Sequence, residues 1–171
     1  MRIVPVKTHY LQMLTPPTAP VVSPADVTVV QKHTLGVDEY RFLYRSVGQG
    51  WNWVDRLVLT DEELSQIIHH PSIEIHVLEY AGQPAGFVEL DARRPPAVEI
   101  AYFGLFPEFT GRGWGRFFLQ WAVHQAWSKQ PERVWLHTCE LDHPAALPNY
   151  LKAGFTLYDE IIIQQPLPDA P

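Results

Sequence analysis

Segments typical of strands and of helices alternate along most of this chain, and no other feature restricts its fold as strongly. The strand-type segments are short and rich in β-branched and aromatic residues, whereas the helix-type segments repeat apolar residues every three or four positions. In chain order the pattern predicts a strand, two helices, three strands, a helix, a strand, a helix and a last strand. A meander followed by strand–helix–strand connections indicates an α/β fold, in which a mixed sheet carries helices on its faces.

Proline separates the two ends of the chain from this pattern. Five of the 16 prolines lie within residues 1–25, where they disfavour regular structure, so this segment is predicted to be an N-terminal extension. Its apolar side chains, such as Tyr10 and Leu11, are suited to packing on the domain or on another subunit. Residues 26–163 form the predicted domain, and the proline-rich residues 164–171 are predicted to be a flexible tail.

Charge and cysteine content disfavour several classes of protein. The 13 Lys and Arg residues against 19 Asp and Glu residues leave a formal charge of −6, which does not favour binding to nucleic acid or to an anionic membrane. No apolar run is long enough to cross a bilayer. Cys139 is the single cysteine, so no internal disulfide can form and a cytoplasmic location is expected. The apolar N-terminal residues and the tryptophans are compatible with a homodimer as well as with a monomer.

The cluster TGRGWG, residues 110–115, interrupts the pattern between a strand and a helix. Glycines at alternate positions allow positive φ angles and a close approach of a ligand to the backbone. The N–H groups at the start of the following helix, together with Arg112 and Arg116, would suit a pyrophosphate or a similar anion. A tight turn that needs small residues is the alternative interpretation of these glycines.

Two common phosphate-binding motifs do not fit this cluster. A P-loop ends in Gly-Lys-Ser or Gly-Lys-Thr, whereas Gly115 is followed by Arg116 and Phe117. A dinucleotide-binding fingerprint has its third glycine where this chain has Arg116. ATP, GTP, NAD and FAD are therefore disfavoured as ligands.

The cluster resembles the main signature of the GNAT superfamily of acyl-CoA-dependent N-acyltransferases, Gln/Arg-x-x-Gly-x-Gly/Ala, with Thr110 at the first position. A second signature of that family is an Asn, then an Ala, then Tyr-x-x-x-Gly-Phe, and it is matched by Ala146, Tyr150, Gly154 and Phe155. His143 stands where the family often has Asn. The resemblance extends over residues 27–163 and is to a bacterial branch with poorly defined acceptors. It implies a central mixed sheet of about six to seven strands flanked by about four helices.

The same resemblance implies that acetyl-CoA is the cosubstrate, with no metal. An acetyl group would pass directly to a primary amine, and the backbone N–H near Leu105 would stabilise the oxyanion. The residues implied to contact the cosubstrate are Leu105, Phe106, Thr110, Gly111, Arg112, Gly113, Trp114, Gly115, Arg116 and His143. The alternative is a catalytically inactive module that binds acyl-CoA and senses its level.

Acyl transfer to an amine needs a base for the amine and an acid for the departing thiolate. Glu99 has a spacing from the glycine cluster similar to that of the general-base glutamate in GNAT histone acetyltransferases, and Glu89 is the second choice. An ion pair with Arg93 or Arg94 is the alternative role of Glu99. Tyr150 matches the family's general acid, and an aromatic residue of the core is its alternative role.

The first two predicted helices and their connection carry the residues expected to contact the acceptor. Aromatic side chains beside a carboxylate suit a cationic amine, although core packing explains each of them equally well. These residues are Tyr40, Tyr44, Trp51, Trp53 and Asp55. His137 and Cys139 share one face of a strand near His143, but no fourth ligand is evident, and no metal site is predicted.

Overall fold

The computed structural model describes residues 1–169 and has the predicted architecture, a seven-stranded mixed sheet with four helices. The strands are β1 (Arg2–Met13), β2 (Val27–Gln31), β3 (Ile73–Tyr80), β4 (Gln83–Asp91), β5 (Ala97–Leu105), β6 (Arg133–Cys139) and β7 (Thr156–Leu167). The helices are α1 (Val37–Gly48), α2 (Asp61–Ile68), α3 (Trp114–Trp127) and α4 (Ala146–Lys152).

The strand order is β2-β3-β4-β5-β6-β1-β7, and β5 and β6 are the parallel neighbours. Helices cover the two faces of this sheet unequally. On one face α1 and α2 pack against β3, β4 and β5, around a cluster that includes Tyr40, Leu64 and Phe87. On the other face α3 packs against β5 and β6, around a cluster that includes Phe118 and Leu136. The helices therefore leave the first face bare beyond β5.

Local signals place the helix ends. The Thr60 side chain accepts a hydrogen bond from the Glu63 N–H, and the Glu63 carboxylate accepts one from the Thr60 N–H, which forms the capping box of α2. Gly154 has a φ of +105° directly after α4, where a residue with a Cβ would be strained.

The structure places the first residues of the chain inside the sheet, which corrects the expectation of an extension over residues 1–25. Strand β1 pairs with β6 from Thr8 to Met13 and with β7 from Arg2 to Gln12. Pro5 fits because residues 2–7 have a single neighbouring strand, so one edge needs no N–H donor. Residues 14–26, which hold the other prolines of this segment, contain no helix or strand.

The C-terminal boundary also differs from the prediction. Strand β7 continues to Leu167 and so includes the first four residues of the segment expected to be a flexible tail from residue 164, and residues 170–171 lie outside the described part of the chain. Leu167 is 6% exposed, because β1 and β7 stay paired to Arg2. No helix among residues 1–169 is long and apolar enough to span a membrane.

Candidate active site

A cleft opens in the middle of the sheet because its two parallel strands diverge. Strands β5 and β6 pair at three positions, from Ala97 opposite Arg133 to Glu99 opposite Trp135, and then separate. Beyond Glu99, one edge of β5 has no neighbouring strand. The opening holds a cavity of about 890 Å³, lined by the second half of β5, the start of α3, and the segment from Asp142 to Ala153.

The predicted glycine loop forms one end of this cavity. Gly111 and Gly113 have φ angles of +80° and +82°, and the loop leads directly into α3 at Trp114. Thr110, Gly111, Gly115 and Arg116 line the cavity. The first turn of the 14-residue helix α3 thus has its unpaired N–H groups and positive dipole end at the cavity, beside a guanidinium group. This is the local geometry that an anionic phosphate group requires.

Two side chains of the loop point elsewhere and do not line the cavity. Trp114 is 8% exposed and packs on Tyr80 and Phe109, at ring-centroid distances of 4.7 Å and 5.8 Å. The Arg112 guanidinium lies 5.0 Å from the centroid of the Trp114 ring. These two side chains hold the loop by cation–π and aromatic packing, and the contact of both residues with a cosubstrate stays a prediction.

Leu105 and Phe106, both predicted to contact the cosubstrate, have different surroundings. Phe106 is 4% exposed and donates its N–H to the Ala85 carbonyl at 2.8 Å, so neither its side chain nor its N–H is free for a ligand. Leu105 lines the cavity. Because consecutive residues of a strand direct their N–H groups to opposite edges, that of Leu105 points away from β4 and into the cleft.

The segment after β6 forms the other wall of the cavity. His143 and Tyr150 line it as predicted, and Asn149, which the sequence analysis did not select, lines it as well. The His143 ring lies 5.0 Å from that of Trp51, and its Nδ1 accepts a hydrogen bond from the Ala145 N–H. Burial raises the pKa of Tyr150, with a further contribution from Asp142, so its hydroxyl stays protonated at neutral pH.

Glu99, the predicted base, lies beside a histidine at the point where β5 and β6 separate. Its carboxylate is 3.6 Å from Nδ1 of His137, and the Glu99 side chain is 18% exposed against 45% for His137. His137 lines the cavity, whereas Glu99 does not. The interaction with Glu99 raises the pKa of His137, and burial opposes that effect only in part. Arg93 does not form the alternative ion pair with Glu99, because its guanidinium pairs with Asp91.

The second-choice base, Glu89, is unavailable to a substrate. It has no exposed surface and accepts two hydrogen bonds of 2.6 Å, from the Tyr40 hydroxyl and from the Arg56 guanidinium. Tyr40 and Tyr44 are also fully buried, so the predicted contact of these tyrosines with an acceptor is corrected. Both belong to the core between α1 and the sheet.

The other predicted acceptor residues lie at or near the cavity. Trp51 and Trp53 line it, and Asp55 is exposed and accepts a hydrogen bond from the Tyr102 hydroxyl at 3.4 Å. Asp142, which the sequence analysis missed, accepts a hydrogen bond from the Trp53 indole at 3.3 Å. It therefore joins the connection between α1 and α2 to the segment after β6, across the mouth of the cleft.

Sequence reasoning considered His137 only as a metal ligand. Its position is a better indication of a role at the site. His137 lies two residues after Trp135 on the less buried face of β6, and Trp135 is the residue opposite Glu99 on the parallel strand β5. Asp142 has a weaker signal, because an Asp after a strand is common in turns. Among residues 1–169 no group of three or more His, Cys, Asp or Glu side chains is arranged to hold a metal ion.

Two features together are typical of the GNAT acyltransferases, the family that the sequence resembles. They are two parallel strands that diverge and a glycine-rich loop that begins the next helix. The model of the acetyltransferase (GNAT) family matches residues 38–155. This chain belongs to the GNAT acetyltransferase family. No curated protein sequence matches it at a significant level.

Solved structures with the same fold come from several bacteria. A GCN5-related N-acetyltransferase from Sphaerobacter thermophilus superimposes with a TM-score of 0.68 at 16% identity, over 98% of this chain and 55% of that protein. A GNAT family acetyltransferase from Elizabethkingia anophelis with acetyl-CoA bound has a TM-score of 0.61 at 20% identity, over 80% of each chain.

An aminoglycoside acetyltransferase from an uncultured soil sample, in complex with trehalose, has a TM-score of 0.62 at 12% identity. That match covers 75% of this chain and 88% of the other. The chain spans only 55–65% of the length of four of the similar structures, the Sphaerobacter thermophilus protein among them. At these identities the comparisons show a shared fold.

Proposed function

We propose that this protein transfers an acetyl group from acetyl-CoA directly to a primary amine. The observation that carries the proposal is one continuous cavity of about 890 Å³, which extends from the glycine loop to both His137 and Tyr150. An anion site, a strand edge without a neighbour and two proton-transfer groups therefore meet in one space. Direct transfer of an acyl group between a thioester and an amine requires these components.

The glycine loop would hold the pyrophosphate of acetyl-CoA. The N–H groups at the start of α3 and the Arg116 guanidinium supply positive charge there. The free edge of β5 would pair with the extended pantetheine arm, as one more strand pairs with a sheet. The N–H of Leu105 would then face the thioester carbonyl, where it stabilises the negative charge that develops on the oxygen.

Tyr150 is proposed to protonate the departing thiolate. A general acid must be protonated at neutral pH, and burial, with Asp142 nearby, keeps the pKa of this phenol above its ordinary value. The amine loses its proton at the Glu99–His137 pair, of which His137 lines the same cavity. The two proton transfers thus have separate groups, which allows transfer without a covalent enzyme intermediate.

The first experiment is a thermal-shift titration with acetyl-CoA, with CoA, ATP and NAD in parallel. Acetyl-CoA at about 100 times its dissociation constant should stabilise the protein by about 2.7 kcal/mol, and ATP and NAD should have little effect. A thiol-release assay with primary amines then measures turnover. No shift with acetyl-CoA would overturn the proposal, and a shift with no release for any amine would identify an acyl-CoA-binding module.

A matched pair of variants tests the acid. Tyr150→Phe removes the hydroxyl in the cavity and should lower kcat about tenfold or more while the acetyl-CoA shift stays. Tyr158→Phe removes a hydroxyl from a tyrosine that is 41% exposed and outside the cavity, so its kcat should not change. An unchanged kcat in Tyr150→Phe would remove this tyrosine from the mechanism.

A further inference from the structure

The bare part of the sheet next to the cleft carries three flat rings side by side. The rings of Tyr10, Trp135 and His137 have centroid distances of 5.7–6.4 Å, and their planes lie within 23–32° of one another. We call these three residues the aromatic floor. It is continuous from β1 to β6 on the face that α1 and α2 leave uncovered beyond β5.

The strand period explains why the three rings share one face. Along β6, Val134, Leu136 and Thr138 are buried, whereas Trp135 and His137 between them are partly exposed. Tyr10 pairs with His137 in the antiparallel register of β1 and β6, so its side chain lies on the same side of the sheet. The aromatic floor therefore depends on the insertion of β1 beside β6.

His137 is the residue that connects the aromatic floor to the cleft, because it belongs to the floor and also lines the cavity. The Glu99 carboxylate on the neighbouring strand lies within ion-pair distance of its Nδ1, at 3.6 Å. A carboxylate at Nδ1 favours the tautomer that carries the proton there, which leaves Nε2 free to accept another. The geometry is that of a base oriented by a carboxylate.

The charges around His137 are negative. Glu99 on β5, Asp142 after β6 and Asp55 between α1 and α2 all raise its pKa, and Tyr10 of β1 contacts it as a neutral phenol. Arg133 also packs on the aromatic floor, with its guanidinium 5.6 Å from the centroid of the Trp135 ring. A cationic group is therefore favoured near His137, and a carboxylate is disfavoured there.

We propose that the acceptor is a primary amine without a neighbouring negative charge, which binds as a cation on the aromatic floor and transfers its proton to His137. Glu99 is then a positioning residue and not the base itself. This inference rests on the proposed acetyl transfer, and it assigns the acceptor side of that site. The aromatic face of Tyr10 attracts the ammonium group, and the carboxylates of Glu99, Asp142 and Asp55 add to that attraction.

The proton and electron balance of the step is complete with these groups. The ammonium gives one proton to Nε2 of His137, and the nitrogen lone pair forms the new C–N bond to the thioester carbonyl carbon. The C–S bond breaks as the carbonyl re-forms, and the thiolate takes a proton from Tyr150. The nitrogen loses its second proton to solvent, which also reprotonates Tyr150, and the imidazolium of His137 releases its proton to solvent.

The pH dependence of kcat/KM tests the role of His137 and Glu99. The imidazole accepts a proton only when it is neutral, so the rate should rise with pH through the raised pKa of His137. Glu99→Gln removes the main cause of that raised pKa and should move the rising limb to lower pH by about half a unit or more. Glu160→Gln removes a similar partner from His9 on β1 and should leave the limb in place.

His137→Gln should abolish this limb and lower kcat about a hundredfold, with the acetyl-CoA thermal shift retained as evidence of folding. An unshifted limb in Glu99→Gln, or a normal kcat in folded His137→Gln, would overturn the assignment. A structural role of Glu99 would change the stability of the protein without moving the limb.

The charge preference is tested with phenylalanine amide and phenylalanine, which differ in one carboxylate next to the amine. The amide should have a kcat/KM about tenfold higher or more. Tyr10→Leu should raise KM for the amide several-fold with little change in kcat, whereas Tyr10→Phe keeps the ring and should keep KM. Equal rates for the two probes, with a normal KM in Tyr10→Leu, would overturn the acceptor site and leave acetyl transfer intact. No release with any amine would overturn both proposals.

Discussion

Glu89 shows how burial decides what a carboxylate can do. Glu89 and Glu99 both lie on central strands, and the sequence offers both as bases. Glu89 has no exposed surface, and Arg56 and Tyr40 occupy its two oxygens. Because a buried carboxylate is tolerated only with such partners, Glu89 holds the connection between α1 and α2 on the sheet. Glu99 instead lies beside His137, which lines the cavity.

We expect Glu89→Gln to lower the free energy of unfolding by about 3 kcal/mol, because it leaves the Arg56 guanidinium buried without a countercharge. Glu79→Gln breaks the more exposed pair with Lys32 and should cost less than about 1 kcal/mol. Urea denaturation of both variants measures the difference. Equal costs would contradict the structural role given to Glu89. The double variant Glu89→Gln with Arg56→Met should recover part of the loss.

At the scale of the element, the glycine loop shows which parts of a motif act through the backbone. The glycines of the loop allow the backbone conformation and leave room beside it; these are Gly111, Gly113 and Gly115. The side chains of Arg112 and Trp114 instead pack on aromatic rings outside the cavity. The spacing of the glycines predicted the loop correctly. The directions of the side chains between them depend on Tyr80 and Phe109, which come from other elements and leave no local signal.

Gly113→Ala and Gly82→Ala form a matched pair at this scale. Both glycines have φ near +80°, and no atom lies within 4 Å of an added Cβ at either, so each substitution should cost about 1–2 kcal/mol of stability. Gly82 lies in the turn between β3 and β4, whereas Gly113 lies at the start of α3. Only Gly113→Ala should weaken acetyl-CoA binding, as measured by isothermal titration calorimetry. Equal affinity in the two variants would remove the loop from the anion site.

At the scale of the whole molecule, the N-terminal strand completes the sheet. Strand β1 lies between β6 and β7, and its Leu11 and Met13 are buried in the core with Leu136. It also supplies Tyr10 to the aromatic floor beside the cleft. The first residues of the chain therefore contribute to the core and to the proposed acceptor site.

We expect deletion of residues 1–13 to unfold the protein. Loss of Leu11 and Met13 alone removes about 2–5 kcal/mol each, which approaches the whole stability of a typical domain, and β7 loses its neighbouring strand. Circular dichroism should show no cooperative thermal transition for the truncated chain. Added peptide of residues 1–13 should restore part of the transition. A truncated chain with the melting curve of the intact protein would contradict the role of β1.

The sequence by itself determined the elements that depend on near neighbours. The period of apolar residues located helices α1 to α3, and the glycine cluster with the motif around Tyr150 indicated the acyltransferase fold. These features follow from backbone geometry within a few residues, which a single sequence records.

Only the tertiary structure decided which distant residues meet. It placed β1 beside β6 and β7, buried Tyr40 and Tyr44, and set His137 between Glu99 and the cavity. Each of these outcomes depends on strand order and on the faces that helices cover, and both result from the packing of the whole chain. Local sequence patterns do not contain that information, because the energy of burial belongs to contacts between segments far apart in the chain.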